Sequence, residues 1–247
     1  MRSASREAAR GLPPVVSESE WRAARRDLLA HEKAHTRNAD ALAAERRRLP
    51  MVRVEREYEL TGPNGTVGLP DLFEGRPQLI VVHHMLRSDD PAPCPGCGMF
   101  VDSLCHPAHL NARGVSLATV AEAPIDESEE FRRRMGWEVP WYSVLGTTFN
   151  RDFDVRQPRP FGLNVFLRDD RDDNGIPGQR PRIYRTYHTT ARGMEALGSA
   201  WTYLDLTPYG RGETWEASPE GWPQTPPYEW WRLHDEYDDA GAQHPAS

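Results

Sequence analysis

Cysteine is scarce in this chain: Cys94, Cys97 and Cys105 are the only three in 247 residues. That is too few for a disulfide scaffold of the kind that staples small secreted domains. Long apolar runs are missing too, and none approaches the roughly 20 residues a membrane-spanning helix needs. The opening stretch "MRSASREAARGLPPVVSESE" contains Arg and Ser but no apolar h-region. The expectation is no secretory signal, no membrane partner, and the reducing cytoplasm as the compartment. Positive charge is not in excess, because the formal net charge is -7. Nucleic acid is therefore not an expected partner. There is no Gly-rich dinucleotide fingerprint, so no nicotinamide or flavin cofactor is expected. There is no internal repeat either.

What remains is a soluble, globular composition, with 38% hydrophobic and 27% charged residues. The length allows one large domain with extensions. Residues 1–49 carry 11 basic and 7 acidic side chains, whereas residues 211–247 carry 2 and 8. Solvated faces account for both imbalances. Residues 1–16 read as a flexible lead. The next segment, 17–50, reads as a long helix from Ser17, capped with Glu20 as a capping box and ended by Pro50. Its apolar stripe is thin, which suits a helix docked on the domain or on a second copy of the chain. From Met51 the pattern turns to strands. "MVRVEREYEL" alternates and ends at the turn signal "TGPNG". "VGLPDLF" reads as a short helical turn. "PQLIVVHHM" and "VSLATVAEA" are continuous apolar runs, as strands buried on both faces should be.

Between those two strands lies "CPGCG", followed by a helical pattern from about Cys94 to Arg113, where Gly114 stops it. Strand, helix, strand makes a βαβ unit with CxxC at the start of its helix. Farther on, "DESEEFRRRMGWEVP" reads as a helix. "FGLNVFLRDD" and "RIYRTYHTT" read as a hairpin turning at Asn174-Gly175. "ARGMEALGSAWTYLDLT" reads as one last helix. The domain is placed at 51–210. Residues 211–247 read as a Pro- and Trp-rich wrap and tail, an irregular cover.

Two chemistries suit the cysteines. A redox pair needs two sulfurs on one helix face, which i, i+3 spacing provides. It also needs a thiolate, which a helix N-terminus stabilises. Cys94 would sit at that terminus with Pro95 at the favoured first position, and Cys97 one turn deeper. Zinc is the alternative, since Cys94, Cys97, His106 and His109 make C-x2-C-x8-H-x2-H. Those spacings are shorter than a finger's, and a helix between buried strands is the wrong frame for a knuckle. Pro107 between the histidines marks a kink or a helix restart. The redox pair is the preferred reading, with no metal expected. Cys105 reads as a small buried hydrophobe, with a third resolving thiol as the lesser role. His83 and His84 end the buried strand and face opposite sides of the sheet. They read as core or edge histidines with backbone partners, and His84 is the one kept as a supporting candidate. Asp102 is a possible proton acceptor for the resolving thiol, or simply a surface residue.

Several segments together resemble the DUF899 family of bacterial thioredoxin-like proteins. They are "EWRAARRDLLAHEKAHTR", "DLFEGRPQLIVVHHM", "CPGC", "HLNARGVSLATVAEAP", "FRRRMGWEVPW", "TTARGMEALGSAWTYLDLTPYGR" and "RLHDEY". The resemblance implies an α/β, thioredoxin-like three-layer core with a long N-terminal helix and an irregular C-terminal extension. It implies a dithiol-disulfide oxidoreductase with Cys94 and Cys97 as the redox pair. A disulfide-containing or peroxide substrate and an external thiol reductant would be its partners, and a homo-oligomer is allowed. Such a fold places a cis-proline opposite the cysteines, and Pro160, with Pro158 second, is the matching position.

Overall fold

The computed structural model of the chain describes residues 13–155, 161–171, 177–217, 221 and 224–237. The described residues form two compact units. One holds Met51–Thr202 and the chain from Trp231 onward. The other holds the chain up to Pro50 together with Tyr203–Trp230.

The larger unit is built on one eight-stranded mixed sheet. Its strands are β1 (Val52–Arg53), β2 (Glu59–Gly62), β3 (Gly65–Gly68), β4 (Gln78–Arg87), β5 (Val115–Glu122), β6 (Trp141–Ser143), β7 (Gly162–Arg171) and β8 (Pro177–Thr190). Their order is β1-β8-β7-β4-β5-β6-β2-β3. At the centre, β4 runs parallel to β5 and antiparallel to β7. The apolar runs that mark β4 and β5 in the sequence are buried because helices cover both sheet faces. His83 faces Phe149 of α5 (Phe149–Asp152), while His84 faces Phe131 of α4 (Ile125–Arg134). This is the three-layer, thioredoxin-like arrangement, with the β7–β8 hairpin flanking the βαβ unit.

The main core lies on the His83 side. Leu79 and Val81 of β4, Val120 of β5 and Phe166 of β7 pack there with Phe149 and Phe153, all at 4% exposure or less. Fully burying side chains of this size is worth about 1.5–3 kcal/mol each.

Several elements depart from the sequence expectation. "MVRVEREYEL" is not one strand. Its start pairs with β8 as β1 and its end pairs with β3 as β2, so residues 54–58 cross between the two ends of the sheet. "VGLPDLF" gives its first residues to β3 and only Leu69–Phe73 to a 3-10 turn. The expected single helix after the cysteines is two: α2 (Pro95–Asp102) and α3 (Pro107–Asn111). Pro107 opens the second one, as a helix-restarting proline should. The last expected helix is also two, α6 (Arg192–Glu195) and α7 (Ser199–Leu204). They part at Gly198, where any Cβ would run into the Trp201 ring. The Asn174-Gly175 turn lies outside the described residues.

The sheet curls. β1 and β3 stand at opposite ends of the strand order, yet Arg53 and Thr66–Gly68 line one cavity of about 610 Å³.

The smaller unit contains α1 (Glu18–Arg46). Its capping box is formed as expected. Ser17 N–H donates to Glu20 at 2.9 Å, and Glu20 N–H donates to the Ser17 hydroxyl at 3.3 Å. No residue of α1 is buried. Among the described residues after Leu204, the buried carboxylate of Glu213 gathers several partners. That group accepts from the indole N–H of Trp230 at 2.9 Å and from the backbone of Tyr228 at 3.1 Å. No helix among the described residues is long and apolar enough to cross a membrane.

Candidate redox site

The parallel register of β4 and β5 is regular from Gln78 to His84 and then slips before Arg87. A bulge of this kind frees main-chain groups at the carboxyl end of the strand, where ligands bind in open α/β sheets. The chain then loops to Cys94, which caps α2 with an extended backbone, and Pro95 occupies the first turn. The Cys94 sulfur accepts the backbone N–H of Cys97 at 3.4 Å. An N–H and the positive end of a helix both favour negative charge on that sulfur.

The two cysteines differ sharply in setting. Cys94 is half-buried, whereas Cys97 is at 0% exposure. Burial pushes the Cys97 thiol well above its ordinary range, and its interaction with Cys94 pushes the same way. A hydrogen bond with the backbone of Met85, beside the bulge, opposes this in part. Cys97 is thus a protonated thiol held behind Cys94.

The middle of the motif is covered. A Cβ at Gly96 would run into the six-membered ring of Trp231, and one at Gly98 would lie 2.5 Å from Cδ2 of Leu233. Leu233 is 1% exposed. Trp231 meets Trp201 edge-on, with ring centroids 5.4 Å apart.

A sequence profile described as "Bacterial protein of unknown function (DUF899)" matches residues 10–237. The chain belongs to the DUF899 family. No curated protein matches it. Among solved structures, this DUF899 chain is similar to the peroxidoxin BcpB from Mycobacterium tuberculosis, at 15% identity and TM-score 0.43. That likeness covers 60% of this chain and 90% of the other. It is similar to a yeast mitochondrial 1-Cys peroxiredoxin at 11% identity and TM-score 0.40, covering 64% and 78%. A candidate thiol:disulfide interchange protein DsbE from Chlorobium tepidum aligns at 17% identity and TM-score 0.39, covering 60% and 93%. Likenesses this distant carry no argument about chemistry, which rests on the residues of the DUF899 chain itself.

The supporting residues expected from sequence fall in three places. Asp102, at the end of α2, accepts from the indole N–H of Trp137 at 2.7 Å and pairs with His234 Nδ1 at 2.8 Å. Those bonds make it an anchor for neighbouring segments. His84 contacts Phe131, Trp137 and Trp141, and neither ring nitrogen has a hydrogen-bond partner among the described residues. His83 bonds Asn150 Oδ1 at 2.7 Å through Nδ1 and Asn164 Nδ2 at 3.0 Å through Nε2. Among the described residues, neither histidine has the expected backbone partner. Sequence spacing could not show the asparagines, which lie far along the chain. Pro158 and Pro160 lie outside the described residues.

Cys105 corrects an expectation, because it is exposed. The break between α2 and α3 takes it off the buried helix face. His106 and His109 are also exposed, and the His106 Nδ1 is engaged by the backbone N–H of Ala108. Among the described residues, no group of three or more His, Cys, Asp or Glu side chains is placed to hold a metal ion. The C-x2-C-x8-H-x2-H pattern is therefore not gathered into a ligand set.

Sequence reasoning missed Trp231, Leu233 and His234 as neighbours of the cysteine helix, against Gly96, Gly98 and Asp102. A signal for them was present in "CPGCG". Two glycines in the first turns of a helix weaken it and imply that something packs close.

Proposed function

We propose that this protein is a thiol-disulfide oxidoreductase working through Cys94 and Cys97. The observation that supports this reading is the asymmetry of the pair. One sulfur sits at a helix start, partly exposed and bonded to a backbone N–H. The other is buried and kept protonated behind it.

In the proposed sequence the Cys94 thiolate attacks a disulfide R–S–S–R. The Cys94–S bond forms as the S–S bond breaks, and RS⁻ leaves and takes up a proton. With a hydroperoxide instead, Cys94 takes the distal oxygen to become a sulfenic acid, and ROH leaves after gaining a proton. Cys97 then loses its proton and attacks the Cys94 sulfur. The Cys94–Cys97 disulfide forms, releasing RSH or water. An external thiol reductant returns both electrons. Because Cys97 is held protonated, it does not compete as the first nucleophile.

The test is competitive alkylation of the reduced, full-length protein at pH 6 to 8, read at each cysteine by mass spectrometry. Cys94 is expected to react about tenfold faster than Cys97, or more. Mild oxidation is expected to link Cys94 to Cys97, and Cys97→Ser to trap a mixed disulfide on Cys94. Faster modification of Cys97, or a disulfide made through Cys105 in its place, would overturn the reading.

A further inference from the structure

The chain from Trp231 to Tyr237 lies along the cysteine helix and is fastened to its unit at several points. Trp231 rests on Gly96, and Leu233 rests on Gly98. His234 pairs with Asp102 at 2.8 Å. Arg134 of helix Ile125–Arg134 grips Asp235 with two bonds, 2.7 and 2.9 Å, and reaches Glu236 at 3.5 Å. The Tyr237 hydroxyl lies 4.0 Å from the Met99 sulfur. Together these contacts make a strap.

The strap occupies the ground that a large substrate would need. Attack on a disulfide requires the nucleophile and both substrate sulfurs to fall nearly in line. A polypeptide disulfide brings two main chains with it, and they must lie against the helix start around Cys94. On that helix, Gly96 is buried under the Trp231 ring and Gly98 under Leu233. An oxidant with one slender end needs only an atom-wide approach to the half-buried Cys94.

Resting on the redox reading above, we propose that the strap restricts the oxidant to a small molecule, a hydroperoxide or a low-molecular-weight disulfide, and excludes polypeptide disulfides. The steps balance as already written: Cys94 gains the small group, Cys97 expels it, and two electrons pass from the dithiol to the oxidant. Trp231 is a specificity residue in this scheme. It acts by occupying space, as a clash built against the wrong substrate.

The experiment follows formation of the Cys94–Cys97 disulfide in the reduced, full-length protein by mass spectrometry. Hydrogen peroxide, glutathione disulfide and native insulin are offered separately, so that the first two arms tell the small oxidants apart. At least one small oxidant is expected to act more than about tenfold faster than insulin. Trp231→Ala is expected to cut that preference by about tenfold, and Arg134→Gln, which frees the far end of the strap, by about threefold. Arg134 is a surface side chain, so its variant serves if Trp231→Ala does not fold. A smaller preference in the unaltered protein, or a preference unchanged in both variants, overturns the proposal and leaves the redox reading standing. No disulfide with any of the three oxidants overturns the redox reading, and the proposal with it.

Discussion

His83 and His84 are adjacent in sequence, share near-complete burial, and differ in everything else around them. His83 has two asparagine partners, whereas His84 lies against aromatic rings and has no hydrogen-bond partner among the described residues. Burial holds both imidazoles neutral, lowering His83 to about 4 and His84 to about 3. An unfolded histidine titrates near 6.5, so the unfolded chain takes up protons first as pH falls. The stability due to these residues is therefore complete above pH 6.5 and is lost as pH falls toward 4 and below. Each is expected to remove on the order of 3 kcal/mol between pH 7 and pH 4. His84→Phe keeps a flat aromatic ring, removes a polar ring that has no partner among the described residues, and should flatten that acid limb. Urea unfolding at pH 7, 5.5 and 4 measures it, and an unchanged dependence on pH in the variant would refute the account. The alternation of the two histidines was legible in the sequence from strand period alone. Their partners were not, because Asn150 and Asn164 are brought to His83 by the whole sheet. Cys105 misled for a related reason, since its exposure depends on where a helix breaks.

The cysteine helix shows how one element can satisfy two demands that conflict. Glycine is a poor helix former, costing about 1 kcal/mol against alanine in a helix interior. Yet α2 carries Gly96 and Gly98 in its first turns, because Trp231 and Leu233 approach its backbone there. Gly96→Ala should therefore destabilise the protein by about 2 kcal/mol, an overpacking cost that exceeds the helix gain. In a Trp231→Ala background the same change should be neutral or stabilising. A double-mutant cycle of thermal or urea unfolding reads the coupling, and simple additivity would show that the ring does not constrain Gly96. Element by element, the βαβ unit, the β7–β8 hairpin and the capped helix at Ser17 were readable, because each has a local period or cap. The split of "MVRVEREYEL" into two strands was not. Its alternation is continuous, and only the pairing partners, β8 for one end and β3 for the other, divide it.

On the scale of the whole molecule, the chain returns at Trp231 to the unit it left after Thr202. The Pro- and Trp-rich composition after residue 210 suggests a cover, but an irregular segment has no period to read, so the point of return was not legible. Its contribution can be measured by ending the chain at Trp230. Losing buried Leu233 and the Trp231 contact with Trp201 should cost about 4 kcal/mol and lower the melting temperature by about 10 °C. Cys97 should then become open to alkylation under native conditions. An unchanged melting temperature and a still-protected Cys97 would mean that the returning segment is ornamental. The curled sheet carries a consequence for the molecule among its neighbours. A flat sheet this wide would offer strangers two open borders, each a row of unspent amides and carbonyls inviting another chain to join. Here the strands that end the order, β1 and β3, are two and four residues long and line the same hollow with residues 54–58, although β1 pairs with only Tyr184 and Arg185 of the longer β8. End strands this short leave little selvedge of their own for a second copy to be stitched to.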